Sequence, residues 1–311
     1  MRENEFLSWI ASQSRFDSAK VPVGPGDDMA VVAFDRDRLL TAIDQVLDGV
    51  HFDLAAHGPR AAGRKAMARN LSDVAAMAAL PVGAVASVAL PRGMTQADAQ
   101  EIYLGLRELG DEFSCPLVGG DVSVWDQRLA ISVSIFAKPA GATGGITPVP
   151  RSGARAGNAI FVTGALGGSW LTGRHLTFTP RVREAIVLSL RYKLRSMIDI
   201  SDGLAMDLHR LCRASGVGAE IHAAAVPVHP DAAAGRNIDP LQAALSDGED
   251  YELLFTVPAG QAKRLEHDGA IQKIPLPVTH IGTITKEPDI VLVQPDGSRR
   301  PLAEQGWEHT G

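Results

Sequence analysis

The sequence predicts two domains that mix helices and strands, of the α/β and α+β classes. The chain has 311 residues, which is more than a single hydrophobic core usually serves, so two domains are the default expectation. Short apolar runs with the length of strands alternate with longer runs of helical periodicity. Residues 138–157 are dense in Gly and Pro, which favours a domain boundary there. We place the boundary near residue 150, giving domains at 1–150 and 151–311.

Seven elements are predicted in the first domain, and the strands among them are runs rich in Val, Leu and Ile. In the second of its helices, Ile102, Leu106 and Leu109 recur at helical spacing, and Thr95 stands where an N-cap is expected. The elements are strands at 29–34 and 39–47, a helix at 59–79, a strand at 83–90, a helix ending near 113, and strands at 117–124 and 129–136.

The second domain continues the alternation of strand and helix. Its predicted elements are a strand at 159–163, a helix at 181–190, a strand at 197–200, a helix at 204–214 and a strand at 251–256. Periodicity does not say which strands pair.

Composition and charge exclude several classes of function. Thirty Lys and Arg stand against 36 Asp and Glu, for a net charge of -6, so no basic field exists to bind nucleic acid. Two cysteines, Cys115 and Cys212, are too few for a disulfide framework and form no zinc or redox pair. No signal peptide and no apolar run of ~18 residues is found. We therefore expect a soluble cytoplasmic protein with no nucleic-acid or membrane partner.

Carboxylates recur beside glycines or at the ends of predicted strands. The motifs are Gly26-Asp27-Asp28, Asp44, Asp73, Gly119-Gly120-Asp121, Asp199-Ile200-Ser201-Asp202-Gly203 and Gly248-Glu249-Asp250. Carboxylate oxygens suit magnesium, and small neighbours let backbone amides approach phosphate. Asp-Gly pairs are also common in turns, so a turn is the alternative for each motif alone. Asp44 and Asp199 lie in apolar runs where a carboxylate without a counter-charge is costly, which favours a metal–phosphate site.

Residues 199–203 stand where a strand passes into a helix. Free amide groups at a helix N-terminus favour phosphate, and the alternative, which is compatible with it, is that Ser201 or Asp202 is the N-cap. Asn70 and Asp73 share one face of their predicted helix. That face presents polar groups either to a ligand or to solvent.

Several familiar nucleotide motifs are absent. Residues 58–65, GPRAAGRK, fail the P-loop pattern because Arg64 takes the position of its Lys and no Ser or Thr follows. Residues 164–168, GALGG, are more typical of a turn, and protein-kinase motifs are not found. The nine histidines include no pair at a zinc-binding spacing. Phosphate binding therefore rests on magnesium, backbone amides and cations such as Arg151.

Eight segments of the chain carry a resemblance to a known family. They are GPGDDMAVV at 24–32, DQVLDGVHF at 44–52, GRKAMARNLSDVAAMAA at 63–79, LVGGD at 117–121, RSGARAGNAIFVTGALG at 151–167, MIDISDGLAMDL at 197–208, ASGVGAE at 214–220 and DGEDYELLFT at 247–256. Together they resemble the thiamine-monophosphate kinases of the aminoimidazole-ribonucleotide synthetase superfamily. The resemblance runs nearly end to end.

The resemblance implies an architecture and a set of site residues. It implies an N-terminal domain whose mixed sheet pairs with that of a second copy in a homodimer, a C-terminal α+β domain, and a nucleotide site between the two domains. Implied magnesium ligands are Asp28, Asp44, Asp73, Asp121, Asp199 and Asp202. Implied ATP contacts are Tyr103, Gly120, Asp121, Arg151 and Ser201. Implied contacts of the thiamine phosphate are His51, Glu249 and Trp307.

The implied reaction is ATP-dependent phosphorylation of thiamine monophosphate to thiamine diphosphate. A phosphate monoester has a second pKa near ~6, so the acceptor oxygen is already ionised and no catalytic base separate from the metal site is expected. Several magnesium ions would align the phosphates for direct in-line transfer. Trp307 would stack on the cationic thiazolium, with a C-terminal packing anchor as its alternative. Glu249 would bind the aminopyrimidine or the cation, with a turn as its alternative.

Two departures from the family pattern and two rival functions remain. Ala42-Ile43 replace Ser or Thr residues before Asp44, and Val122-Ser123 replace two threonines after Asp121. We expect weaker metal binding but an active enzyme, because no carboxylate is lost. The enzymatic rival is an aminoimidazole-ribonucleotide synthetase-like reaction. The rival from another class is a non-catalytic nucleotide-binding regulator.

Overall fold

The computed structural model describes residues 19, 21–23, 27–34, 37–140, 147–234, 238–270 and 277–308. Gly26 and residues 141–146 of the predicted domain boundary lie outside these residues. The described strands are β1 (Ala30–Phe34), β2 (Asp37–Leu47), β3 (Ala79–Pro91), β4 (Leu117–Trp125), β5 (Ala130–Pro139), β6 (Ala159–Thr163), β7 (Ser196–Ile200), β8 (Gly218–His222), β9 (Glu252–Val257), β10 (Val278–Thr285), β11 (Ile290–Val293) and β12 (Arg299–Pro301). The described α-helices are α1 (Leu54–Ala76), α2 (Gln96–Glu112), α3 (Ser169–Thr172), α4 (Val182–Arg191), α5 (Leu204–Ser215), α6 (Pro240–Ser246) and α7 (Ala259–Ala270).

The first sheet has the strand order β1-β2-β5-β3-β4. Its pairs are antiparallel except for β3 with β4. Every strand predicted in the first domain is present, and Thr95 caps α2 as predicted, since its side chain accepts a hydrogen bond from the Asp98 amide. Helix α1 starts five residues before the predicted Pro59, because Asp53 caps a first turn. Gly58 breaks the helical geometry, and Pro59 then opens the main segment.

Helices α1 and α2 cross at unusually close range through two glycines. A Cβ atom on Gly63 would lie 2.1 Å from the Ile102 carbonyl oxygen, and one on Gly105 would lie 2.1 Å from that of Arg60. Any larger side chain at either position would push the helices apart, because atoms in a packed interior cannot overlap. The two glycines therefore fix how closely α2 lies against α1.

The second sheet has the order β12-β11-β8-β10-β6-β9-β7. Among the described strands of this second sheet, only β8 and β11 pair in parallel. The predicted strands and helices of this half are present to within one residue at each end. Helix α5 packs on this sheet, with Leu204, Leu208 and Leu211 completely buried.

Helix α1 packs on the first sheet and also contacts the second half of the chain. One buried apolar cluster contains Met67 and Leu71 of α1 together with Met197, Leu253 and Phe255 of the second sheet. The Arg64 guanidinium donates hydrogen bonds to the carbonyl oxygens of residues 176, 177 and 178. Helix α1 therefore positions whatever site lies between the sheets. Within the described residues, no helix combines the length and apolarity that a membrane span requires.

Candidate active site

One face of helix α1 lines the space between the two sheets. Arg69 lies four residues after Lys65, and Ser72 and Asp73 lie three and four residues after Arg69, which places all four on one side of the helix. Each of them reaches a residue outside the helix. They divide the site into a carboxylate cluster near the end of α1 and a cavity near its middle.

The carboxylate cluster consists of Asp28, Asp73 and Asp199. Their ligand oxygens lie within 4.8 Å of one another, although the residues come from the segment before β1, from α1 and from β7. The Ser72 hydroxyl donates a 2.6 Å hydrogen bond to Asp199. The structure thus brings together three of the six predicted metal ligands.

Burial and mutual repulsion govern the electrostatics of this cluster. Burial raises the pKa of Asp73 well above its usual range, and the charges of Asp44 and Asp199 raise it further. Burial and the charge of Asp28 do the same to the pKa of Asp199, against the Ser72 hydrogen bond. The neighbouring Asp27 has its pKa raised to about 6, mainly by burial and by Asp28. The carboxylates of the cluster outnumber the cations beside them. Their hard oxygens match magnesium.

Arg151 is the cation of the cluster. Its Nε and Nη2 atoms donate to the two carboxylate oxygens of Asp28, each at 2.9 Å, and its backbone amide donates to Asp27. A predicted ATP contact is therefore paired with a predicted metal ligand. A carboxylate has about four lone-pair sites, so Asp28 can accept from Arg151 and still ligate a cation.

Two more predicted ligands flank the cluster. Asp44, on β2, lies 3.3 Å from the Nε atom of Arg69, and its charge acts on Asp73. Asp202 forms an ion pair with Arg210 at the start of α5. Neither belongs to the group of three carboxylates within mutual reach.

Asp121 lies elsewhere, on the edge strand β4. In the register across the first sheet, Gly120 falls in the row of Asp44, and Asp121 falls in the row of Gln45. Because successive side chains of a strand point to opposite faces, Asp121 faces away from Asp44. Gly120 and Asp121 line a groove together with Tyr103 of α2. The structure does not bring these predicted ATP contacts to the carboxylate cluster.

The interpretation of Ser201 or Asp202 as a helix cap is wrong. The N-cap of α5 is Gly203, and no side chain caps it there. Asp207, inside the helix, instead accepts a 3.0 Å hydrogen bond from the Asp202 amide. A φ of +112° at Gly203 favours glycine, and this leaves Ser201 on the preceding loop, where its carbonyl accepts from the Glu249 amide at 2.7 Å.

A cavity of about 260 Å³ gathers all three predicted substrate contacts. It is lined by Val50, His51, Trp170, Ser246, Asp247, Glu249, Gly306 and Trp307. Two indoles and two carboxylates thus meet in one space. A flat aromatic ring with positive charge is the kind of ligand that this lining favours.

Lys65 supports the cavity and was missed by the sequence analysis. Its ammonium is fully buried and donates to Glu249, to the carbonyl oxygen of His51 and, at 2.7 Å, to Nδ1 of His175. Burial lowers the pKa of Lys65 to about 8, although Glu249 opposes that shift. Burial would raise the pKa of Glu249, but the adjacent His175 and the charges of Lys65 and Arg69 lower it to about 2. Glu249 is therefore ionised.

Tyr251 was also missed. Its hydroxyl is buried with no hydrogen-bond partner among the described residues, and the charges of Arg69, Glu249 and Asp44 all act on it. Glu249 and Tyr251 both have positive φ values, +60° and +51°, which is uncommon for residues with a Cβ. Strain of this kind concentrates at functional sites, and only the GEDYEL motif could have signalled it.

Comparison with known proteins identifies the family. Models of AIR synthase related proteins match twice, the N-terminal domain at residues 26–138 and the C-terminal domain at 155–294. A thiamine-monophosphate kinase of Rhodopirellula baltica is 39% identical over 91% of this chain and 89% of its own length. The chain belongs to the thiamine-monophosphate kinase family. The relative in Escherichia coli K12 is 33% identical over 93% and 92% of the two chains.

Solved structures of thiamine-monophosphate kinases share the fold. The structure of AaThiL complexed with AMPPCP and TMP matches with a TM-score of 0.83 and 28% identity, covering 99% of this chain and 97% of that one. Thiamine monophosphate kinase from Aquifex aeolicus matches with a TM-score of 0.75 over 96% and 99%. The predicted family and the two-domain mixed fold class are confirmed. The boundary at residue 150 and the roles of individual residues stay predictions.

Proposed function

We propose that the protein transfers the γ-phosphoryl group of ATP to thiamine monophosphate, which yields thiamine diphosphate and ADP in the last step of thiamine diphosphate biosynthesis. One observation carries the proposal: helix α1 joins a cluster of hard carboxylate oxygens to a cavity of aromatic and acidic side chains. The relatives named above are thiamine-monophosphate kinases, and a matching structure is a complex with AMPPCP and TMP.

The donor set of the carboxylate cluster fits magnesium. Asp28, Asp73 and Asp199 offer hard oxygens within 4.8 Å of one another, and the raised pKa values of Asp73 and Asp199 indicate that a cation would relieve their repulsion. We assign them as ligands, with Asp44 and Asp202 as flanking ligands. When bound, magnesium supplies the positive charge that offsets repulsion between the donor and acceptor phosphates.

The residues of the chain then act by binding and orientation. The acceptor phosphate is ionised at neutral pH, so no side chain has to remove a proton, and transfer is direct, without a phosphoenzyme. Arg151 and Ser201 are assigned as contacts of ATP on the side of the site where the carboxylate cluster lies. Asp121 keeps its assignment as a ligand of magnesium and ATP, as do Tyr103 and Gly120 as contacts of ATP, although all three line the groove beside β4.

The cavity is assigned to the organic part of the substrate. Glu249 is ionised beside a half-exposed Trp307, and both suit a thiazolium ring. The backbone amide of Trp307 donates to the Asp202 carbonyl at 2.9 Å. The backbone thus anchors the C-terminal segment, which supports a ligand-binding role for the indole. His51, from the N-terminal half of the chain, is the third residue assigned to the thiamine phosphate.

The proposal includes a cytoplasmic homodimer. Strand β4 exposes Val118, Val122 and Val124, each with more than half of its surface accessible, and exposed apolar surface of this kind marks interaction sites. Both cysteines are free and buried, in keeping with a reducing compartment. Light scattering on the purified protein tests the dimer, and a mass of one chain would contradict it.

The reaction is tested by incubating the protein with ATP, magnesium and thiamine monophosphate and separating the products by chromatography. Thiamine diphosphate and ADP should form in equal amounts, and Asp44→Asn should abolish most of the turnover. Asp126→Asn is the matched control, because Asp126 is an exposed carboxylate paired with Arg92 on the surface. No thiamine diphosphate from the unmodified protein, despite tight ATP binding, would reject the proposed reaction.

A further inference from the structure

Trp170 lines the substrate cavity but belongs to none of the motifs that carry the family resemblance. It lies on the four-residue helix α3, whose position is set by Gly167 and Gly168. A Cβ atom on Gly168 would lie 2.3 Å from the backbone of Asp231, and one on Gly167 would lie 2.8 Å from the Ala244 amide nitrogen. The backbone that presents Trp170 is therefore held tightly against the rest of the second domain.

One face of the Trp170 indole is covered from behind. The buried imidazole of His175 stacks on it, with ring centroids 4.5 Å apart and an interplanar angle of 25°. The Lys65 ammonium, 5.3 Å from the indole centroid, binds the same imidazole. Trp170 nevertheless keeps 41% of its surface exposed. Because His175 covers one face, the opposite face is the one available to a ligand.

Behind Trp170 lie the imidazole of His175, which is uncharged, and the Lys65 ammonium over the same indole. An ammonium can only donate hydrogen bonds, so Nδ1 of His175 accepts from Lys65. Burial and the nearby charge of Lys65 also lower the pKa of His175, against the influence of Glu249. The charge of Lys65 is balanced by Glu249, its ion-pair partner. The free face of Trp170 therefore borders a cavity with two carboxylates in its lining, Glu249, which is paired with Lys65, and Asp247.

We propose that Trp170 is a specificity-determining residue whose free indole face stacks on the cationic thiazolium of thiamine monophosphate, beside Trp307. This assignment rests on the proposed function. An indole face attracts a cation more strongly than it attracts an uncharged ring of the same shape, because its π electrons carry partial negative charge. The residue thus favours charged over uncharged substrates.

The first test is Trp170→Leu, which keeps an apolar side chain but removes the π face. The KM for thiamine monophosphate should rise about tenfold, which corresponds to about 1.4 kcal/mol, while kcat stays within about twofold because the indole is assigned to the ring and not to the transferred group. Trp170→Phe should recover part of the loss. Leu171→Ala is the local control: Leu171 is exposed on the same short helix and does not line the cavity, so its KM should not change.

The second test separates cation recognition from packing. It compares thiamine monophosphate with an analogue in which carbon replaces the positively charged ring nitrogen. The ring of this analogue is uncharged but has the same shape. The unmodified protein should prefer thiamine monophosphate by kcat/KM, and Trp170→Leu should lose most of that preference. An unchanged KM for thiamine monophosphate in Trp170→Leu, or an unchanged preference, would overturn the proposal.

A separate measurement distinguishes a failure of the proposed reaction from a failure of the role proposed for Trp170. Turnover of thiamine monophosphate by the unmodified protein tests the reaction alone. If no product forms, calorimetric Kd values for thiamine monophosphate replace KM in the same comparison. Binding about tenfold weaker in Trp170→Leu would then support the role of Trp170 without the reaction. Equal Kd values, or no binding by the unmodified protein, would reject it.

Discussion

The carboxylate cluster and the cavity lie along the same helix and bury acidic groups in opposite electrostatic states. At the cluster, burial and like charges raise the pKa values of Asp73 and Asp199. In the cavity, His175, Lys65 and Arg69 outweigh burial and lower the pKa of Glu249 to about 2. The cavity therefore contains its own counter-charges, whereas Arg151 compensates only part of the negative charge of the cluster. The raised pKa values in the cluster indicate negative charge that the fold compensates only in part, and the lowered pKa of Glu249 indicates charge that its neighbours already compensate.

The largest expected effect comes from neutralising one acid in each region. Asp199→Asn should lower kcat by roughly 10²–10⁴-fold, because loss of a metal ligand removes several kcal/mol of charge stabilisation. In EDTA the same variant should melt at a higher temperature than the unmodified protein, since it relieves repulsion. Glu249→Gln should melt at a lower temperature, because its ionised form is the stabilised one.

Calorimetry in EDTA and steady-state kinetics check this pair. Shifts of the melting temperature in the same direction for both variants would break the contrast between the regions. An unchanged kcat in Asp199→Asn would remove Asp199 from the metal site.

The next effect concerns the built-in counter-charge. Lys65→Met should lower the free energy of unfolding by about 3–5 kcal/mol, because it leaves Glu249 buried without its partner. The double variant Lys65→Met/Glu249→Gln should regain part of this loss, since no charge is then left unpaired. Urea unfolding measures both variants. A double variant no more stable than the single one would mean that Lys65 acts through packing alone.

The smallest effect is the dependence of stability on pH without metal. The pKa of Asp27 is raised from 3.8 to about 6 when folded, so its favourable contribution is complete below pH 3.8 and is lost as the pH rises through about 6. The loss amounts to about 3 kcal/mol, and the raised pKa values of Asp73 and Asp199 act in the same direction. Glu249 opposes it only below pH 4.5, where its own contribution declines.

Unfolding in urea from pH 4 to 8, with EDTA or with magnesium, checks the pH effect. In EDTA the stability should fall as the pH rises, and magnesium should reduce the fall, because it binds the ionised carboxylates. The same pH profile with and without magnesium would contradict the assignment of the cluster as a metal site.

The sequence predicted all five strands of the first sheet, strands β6, β7 and β9 of the second sheet and the main helices, because apolar periodicity is a local signal. The three clustered carboxylates stood in the motifs that carry the family resemblance. It did not predict that Asp121 faces away from Asp44, since that depends on the register of four strands. Lys65 was missed because its partner Glu249 lies 184 residues away. Trp170 was missed because a tryptophan just after a Gly-rich segment has no distinctive pattern, and its proposed role depends on His175 behind it.

Helix α1 also sets a fixed length between the two halves of the site. Lys65, which holds the cavity, and Asp73, in the cluster, are eight residues apart, which is about 12 Å along a helix that rises 1.5 Å per residue. Helix α1 also packs closely against α2 at Gly63 and Gly105, where no larger side chain would fit. One residue inserted between Lys65 and Asp73 would rotate Asp73 by about 100° away from the cluster. If the cavity holds the ring and the cluster holds the phosphates, as proposed, the distance between ring and phosphates is set by the pitch of a single helix.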